Sequence, residues 1–310
     1  MTPLETTALA RDRARSAAAV LPSLPSVLEA LRSVAESAKP RVTTMVVFTT
    51  AIGLRLAPGS IGIARGLVLL GGTALLVASA NMLNSWYERD TDALMIRTRT
   101  RPIPAGRMDP WVGLATGIGL GVFAIPILAL AINPLTALLG LIAHLAYVLA
   151  YTPLKRITPW ALEVGAIPGA IPPLMGWTAA TGSLAWPGIF LFALMVFWQL
   201  PHFLAIAIYL EEDYRRGGLE VLSVSRGAAT ASRRLAIYTI VVVAVSLAAQ
   251  PLRLAGLPYT IAASLLGAGF VLLASRGFRA TVGGAWARKT MLYSILWLTA
   301  LLVALVAGSR

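Results

Sequence analysis

Residues Leu67 to Pro102 read LVLLGGTALLVASANMLNSWYERDTDALMIRTRTRP. The part from Leu67 to Trp86 is an apolar run of the length that a helix needs to cross the hydrocarbon of a bilayer, roughly 20 residues. It then runs straight into acids and arginines. A helix continued through this junction sets Asn84, Glu88 and Asp92, spaced i, i+4, i+8, on one face as a ladder of oxygen donors. Hard divalent cations take such donors. Arg97, Arg99 and Arg101 follow within a few residues. Guanidinium groups beside an acid cluster suit a metal-chelated diphosphate, because they hold it and stabilise the charge that develops when it departs. Asp90 falls off the ladder face, so it reads either as a support behind the ladder or as a loop contact.

The rest of the chain has the same membrane character. Its 310 residues are 57% hydrophobic and 13% charged, with a mean hydropathy of +0.77. That composition specifies an all-α polytopic membrane protein. Apolar runs of near-bilayer length predict about nine spans around a central cavity: Val42 to Leu56, Leu67 to Trp86, Trp111 to Ile132, Leu135 to Tyr151, Ala161 to Ala179, Trp186 to Tyr209, Leu235 to Ala249, Tyr259 to Ala274 and Met291 to Ala307. The Pro172–Pro173 pair reads as a device that breaks the fifth helix. With the N-terminus cytoplasmic, every Lys and Arg except Arg55, Arg65, Arg253 and Arg310 falls on the inner side, as the positive-inside rule requires. The net charge of +13 therefore reads as topology and contact with anionic lipid, not nucleic-acid binding.

All thirteen acids sit in the N-terminal tail, in cytoplasmic loops or at the adjoining helix ends. A transporter of protons or cations usually carries ionisable groups near the membrane midplane, so this pattern favours chemistry at the cytoplasmic rim. Cysteine is absent, which excludes disulfides, thiolate metal sites and a cysteine nucleophile. Residues 1–40 contain acids and lack a secretory signal's apolar core. They read as a cytoplasmic extension to a transmembrane domain of residues 41–310.

A second polar constellation closes the sixth span, where WQLPHFLAIAIYLEEDYRRGG runs from Trp198 to Gly218. Tyr209 and Asp213 are i, i+4, with Glu212, Arg215 and Arg216 beside them. The two acid clusters follow the second and sixth spans, a spacing that suggests two similar halves facing one cavity. A third polar point, YTPLKR from Tyr151, brings Lys155 and Arg156 to the same membrane face. His202, inside a span, is able to ligate iron or relay a proton, and the plainer alternative is a buried histidine bonded to a neighbouring helix. His144 reads as a core or cavity histidine. The aromatic faces of Trp86, Tyr87, Trp177, Trp198 and Phe203 could stabilise a carbocation, although packing is the commoner role for each. Arg99 and Arg107 read as topology.

Taken together, the blocks KPRVTTMVVFT from Lys39, NSWYERDTDALMIRTRTRPIPAG from Asn84, YTPLKRITP from Tyr151, GAIPGAIPPLMGW from Gly165, WQLPHFLAIAIYLEEDY from Trp198 and ARKTMLYSILWL from Ala287 resemble the UbiA-type intramembrane prenyltransferases, and within them the haem-farnesylating branch. The resemblance implies transfer of the farnesyl group of farnesyl diphosphate to a vinyl group of haem b, with addition of water, giving haem O for terminal oxidases. It implies Mg²⁺ on Asn84, Glu88, Asp92 and Asp213, with Lys155 as a further catalytic group. Arg41, Arg97, Arg101, Tyr151, Arg156, Tyr209 and His202 are the expected substrate contacts. A quinone-precursor or chlorophyllide acceptor, or a membrane haem-binding or transport role, is the alternative. A bacterial cytoplasmic membrane is the expected location, with haem A synthase or oxidase assembly factors as partners. The chain departs from the family pattern at Ala161 and at Glu220 to Ser223. Glu163 is an additional acid whose expected place is the exposed rim or a pair with Lys155 or Arg156.

Overall fold

The computed structural model describes residues 27–279 and 282–308. The reading of residues 1–26 as part of a cytoplasmic extension lies outside that range. Regular structure among the described residues is helical throughout. A short amphipathic helix, α1 (Val27–Ser37), leads into α2 (Pro40–Leu56) and α3 (Gly62–Tyr87). A single helical turn, α4 (Arg89–Leu94), and an Arg-rich loop follow. Next come α5 (Pro110–Ala131), α6 (Pro134–Leu145), α7 (Ala161–Thr181) and α8 (Trp186–Tyr209). Two short helices, α9 (Glu211–Arg216) and α10 (Leu222–Arg226), precede the last three: α11 (Ala228–Leu247), α12 (Leu257–Ser275) and α13 (Gly284–Gly308).

Each expected span thus has its helix, and seven of these helices are long and apolar enough to cross a membrane. The other two, α2 and α7, meet at the centre of the bundle. They pack backbone to backbone, because a Cβ on Gly53 would strike the carbonyl of Pro173 and one on Gly176 the carbonyl of Thr50. A helix enclosed by other helices need not be as apolar as one facing lipid. The close approach also explains a correction. The proline pair does not break α7, which runs unbroken through Pro168, Pro172 and Pro173. Neighbours on several sides hold the helix in place, with Ala166 and Ala170 fully buried and Met175 at 2% exposure.

Helices α2, α3, α5, α6 and α7 form one side of the bundle and α8, α11, α12 and α13 the other, joined where α7 meets α8 and α2 meets α13. Trp177, Trp198, Phe270 and Trp297 fill the core of that junction. One end of the bundle is closed by plain capping. The Arg65 guanidinium donates to the carbonyls of Ala131 (3.0 Å) and Ile132 (2.7 Å) at the end of α5. The side chain of Asn133 caps α6 and donates to the Thr178 carbonyl. The opposite end gathers Lys39, Asn84, Lys155 and Asp213.

Candidate active site

The ladder forms as its spacing predicts, with a bend in it. Helix α3 ends at Tyr87 and α4 begins at Arg89, with Glu88 between them at φ −89°, ψ 4°. The amides nevertheless keep the i→i−4 pattern, Glu88 to the Asn84 carbonyl at 2.9 Å and Asp92 to the Glu88 carbonyl at 2.7 Å. Asn84, Glu88 and Asp92 therefore stay in line, exposed by 1%, 5% and 1%.

Each rung accepts a hydrogen bond from a different cation. Lys39 Nζ donates to Asn84 Oδ1 (2.7 Å), Lys155 Nζ to Glu88 Oε1 (2.6 Å) and Arg101 Nη1 to Asp92 Oδ2 (2.6 Å). Thr152 orients the Asn84 amide by accepting from its Nδ2 at 3.2 Å. The other oxygen of Asp92, Oδ1, is buried and has no hydrogen-bond partner.

Lys155 reaches Glu88 because of local backbone geometry in α6. After Leu145 the helix widens into a π segment, Ala146–Tyr151, before the turn Thr152–Leu154. π-Segments commonly mark functional sites. This one stacks Tyr147 against Tyr151, ring centroids 5.2 Å apart, and sets Lys155 Nζ 4.5 Å from the Tyr151 ring centroid. The Tyr151 ring fits only because Gly165 of α7 carries no Cβ. Burial opposes ionisation of Glu88, but the charges of Lys155 and Lys39 more than offset it, so its carboxyl is held below the usual range. Burial opposes the charge of Lys155, but Glu88, Tyr151 and Tyr147 together more than offset it, so the lysine is held above its usual value. Lys39 goes the other way. Burial and the charge of Arg101 depress it to about 7.

Asp213 is placed differently from its expected position among the metal ligands. Its Oδ1 accepts from the Ile96 amide at 2.7 Å and its Oδ2 from the Arg97 amide at 3.2 Å. It thereby pins the loop after α8 to the Arg loop after α3. Met95 packs against Gly217 at the same junction, and the Glu220 amide donates to the Lys155 carbonyl at 2.8 Å. Among the described residues no three acids or histidines stand close enough to enclose a metal ion alone.

The remaining candidates separate into two groups. Arg156 bonds the Thr91 hydroxyl and lies over the Tyr87 ring, so it joins the site. Arg41 and Arg97 are exposed at its edge. Tyr209 is exposed, with the Arg288 guanidinium 6.0 Å from its ring centroid. His202 belongs to the α8–α13 contact, where its Nδ1 shares a hydrogen bond with Ser294 Oγ at 2.7 Å and its ring stacks on Trp198 at 4.8 Å. Glu163 pairs with Arg234 of α11 at 3.2 Å, and not with Lys155 or Arg156. Arg234 comes within reach because it stacks on Trp160 at 4.1 Å. Lys39 went unnoticed among the site residues, although its place just before the first span, at the face that carries the acids, was a usable signal.

The family model for the UbiA prenyltransferase family matches residues 46–306 of this chain. The chain is 51% identical over 288 residues to the protoheme IX farnesyltransferase of Anaeromyxobacter sp. (strain Fw109-5), which covers 92% of this chain and 96% of that one. It is 46% identical over 283 residues to the protoheme IX farnesyltransferase of Myxococcus xanthus (strain DK1622), with 91% and 95% covered. Among solved structures, a digeranylgeranylglyceryl phosphate synthase superposes with a TM-score of 0.76 at 16% identity, over 90% of this chain and 98% of that one. A UbiA homologue from Archaeoglobus fulgidus bound to GPP and Mg²⁺ gives a TM-score of 0.60, also at 16% identity, over 89% and 99%.

Proposed function

The chain belongs to the UbiA prenyltransferase family, and from that membership we propose that it transfers the farnesyl group of farnesyl diphosphate to a vinyl group of haem b, with addition of water, giving haem O. The observation that carries this reading is the cation-lined ladder of Asn84, Glu88 and Asp92 in a chain 51% identical to a protoheme IX farnesyltransferase along nearly its whole length.

In the proposed reaction the bond between C1 of the farnesyl chain and the diphosphate oxygen breaks, and the electron pair leaves with the diphosphate. The vinyl terminal carbon adds to the allylic cation. The carbon next to the porphyrin then takes water, and a proton is released. In this reading Lys155, Arg101 and Arg97 stabilise the charge gathering on the leaving group, and donors of this kind are worth roughly 10² to 10³ in rate each. The donors at the ladder suit Mg²⁺. They are hard oxygens, and Asp92 Oδ1 is buried and unpartnered. Mg²⁺ is commonly held by one or two carboxylates together with substrate phosphates, which fits a site without three converging acids. When bound, it would offset the negative charge of the departing diphosphate. Asn84, Glu88 and Asp92 would hold it, with Asp213, whose two oxygens each also accept one amide of the Arg loop, as the further expected donor.

His202, whose Nδ1 is taken by Ser294, is proposed to meet the porphyrin through its other nitrogen, with Tyr151, Arg156, Arg41 and Tyr209 as rim contacts to substrate. The protein is integral to the membrane, with seven helices that meet the requirements of a span. We place it in the bacterial cytoplasmic membrane with the N-terminus inside, residues 41–310 as the catalytic domain, and haem A synthase or oxidase assembly factors as receivers of the product.

The test is to incubate the purified protein in detergent with haem b, farnesyl diphosphate and Mg²⁺ and to seek farnesylated haem by mass spectrometry. Product that vanishes with EDTA supports acceptor and metal together. Prenyl transfer to a quinone precursor and not to haem would replace the acceptor.

A further inference from the structure

Haem b needs more than a grip on its porphyrin face. Its two propionates are carboxylates, and a guanidinium suits them best because its paired N–H donors match their two oxygens. The propionates leave one edge of the macrocycle and the vinyl groups leave the other side. For a vinyl carbon to meet C1 of the farnesyl chain beside the ladder, the propionates must lie away from it, toward the other half of the bundle.

The charges are arranged accordingly. Near the ladder the cations are committed, Lys155 to Glu88, Arg101 to Asp92 and Arg107 to Glu36. In the other half, Arg233 of α11, Arg276 and Arg279 after α12, and Arg288 and Lys289 of α13 form no ion pair with a carboxylate of the described residues. Arg288 reaches α8, where its guanidinium lies over the Tyr209 ring, 6.0 Å from the centroid. A guanidinium laid over a ring keeps the donors at its edge available. Tyr209 ends α8, four residues before Asp213, whose carboxylate binds the amides of Ile96 and Arg97. Arg288 therefore stands where the second half turns back toward the ladder.

The same two helices carry a second polar point further into the membrane. His202 and Tyr209 are seven residues apart, so they share one stripe of α8 and lie about 10 Å apart along its axis. His202 shares a hydrogen bond with Ser294 of α13 at 2.7 Å. The seam between α8 and α13 thus sets an imidazole within the membrane and an uncommitted guanidinium at the rim. Their separation suits half a porphyrin with its propionate arm.

We propose that Arg288 binds a propionate of haem b, supported by the Tyr209 ring, and thereby turns the vinyl edge of the acceptor toward the ladder. This rests on the reading of the acceptor as haem. The two halves then hold opposite ends of the reaction, the first the diphosphate and the second the carboxylates of the acceptor.

The experiment titrates haem b, and separately its dimethyl ester, into purified full-length wild type, Arg288→Gln and Arg288→Lys in detergent, following haem absorption. In the ester both carboxylates are masked. Arg288→Gln should bind haem b roughly 10-fold or more weakly, as expected for loss of a charged hydrogen bond, and Arg288→Lys should recover part of that loss. The ester should bind wild type and Arg288→Gln equally, and the affinity for farnesyl thiodiphosphate, an unreactive diphosphate, should not change. Unchanged haem b affinity in Arg288→Gln overturns the inference. An equal loss for the ester also overturns it and leaves the arginine as a support for Tyr209. A wild type that binds neither haem but prenylates a quinone precursor overturns the acceptor reading itself, and the inference with it.

Discussion

Replacing Lys155 with methionine removes the partner of a carboxylate that is 7% exposed in its side chain, from a lysine itself 13% exposed, across a contact of 2.6 Å. Breaking a pair this buried leaves an uncompensated charge and should cost about 3–5 kcal/mol, whereas removing both charges together is often nearly neutral. Lys155→Met should therefore lower the unfolding midpoint markedly, and Glu88→Gln in the same chain should restore most of it. Both the single and the double variant should be inactive, since each lacks a group to which the proposed reaction assigns a role. Acidity adds a second signature. Glu88 lies below its ordinary value of 4.5 in the folded protein, so in the wild type its contribution is present above about that pH and is lost as pH falls through the lowered value. Lys155 lies above its ordinary 10.5, so its contribution is present below that pH and is lost only on strong alkalinisation. Wild-type stability should be flat between these limits as far as this pair is concerned. Lys155→Met should instead gain stability on acidification, because burial then pushes the Glu88 carboxyl upward. Thermal unfolding of the three variants followed by circular dichroism in detergent, from pH 5 to pH 8, measures both effects. If the two substitutions destabilise additively, the pair is not coupled and the argument from burial fails.

Asp92→Ala should abolish turnover, with a loss of at least roughly 10³, and should also lower the unfolding midpoint, because it leaves Arg101 without its 2.6 Å partner; retained activity in the folded variant would remove Asp92 from the site. Asp213→Ala should free the segment at Ile96 and Arg97 that its carboxylate holds, and trypsin should then cut at Arg97 or Arg99 faster than in wild type, so an unchanged cleavage rate would refute the anchoring role. Gly176→Val places its Cβ on the Thr50 carbonyl, a backbone contact that cannot give, and the protein should fail to accumulate as a monodisperse species on size-exclusion chromatography. Adding EDTA to active wild type should stop farnesyl transfer, excess Mg²⁺ should restore it, and activity that survives chelation would set the metal role aside.

What could be read from the sequence followed from periodicity and hydropathy. The ladder Asn84, Glu88, Asp92 was legible because a helical repeat depends on near neighbours alone, and the bend at Glu88 keeps the amide pattern that maintains it. The spans were legible for the same reason, although their ends were not. Helix α11 was expected from Leu235 and starts at Ala228, and α13 was expected from Met291 and starts at Gly284. Charges such as Arg233 and Arg288 mark where the hydrocarbon ends, but a helix continues into water as long as its backbone bonds are made, so hydropathy alone truncates it. Of the two helices that are not long and apolar enough to count as spans, α2 has only 17 residues, and both bury against each other through Gly53 and Gly176.

Partnerships across the bundle could not be read in this way, and they divide the labour at the site. Glu163 faces Arg234, 71 positions away, and Asp213 holds amides 116 and 117 positions before it. Neither pairing has a local signature, since each depends on which helix ends meet. Both acid clusters were expected to ligate one cation, as two similar halves would, but in this structure they differ. The first presents buried oxygens lined by Lys39, Lys155 and Arg101, whereas the second spends its carboxylate on the first loop's backbone. Because Asp213 binds main-chain amides, it fixes the start of the segment that carries Arg97 and Arg101 whatever the side chains there are doing. The ladder then meets its arginine from a loop held at both ends, by Asp213 at Ile96 and by Glu36 at Arg107. If diphosphate binds here as proposed, a site so tethered loses little freedom when its ligand arrives, which is the condition under which charged contacts favour the transition state rather than only the resting complex.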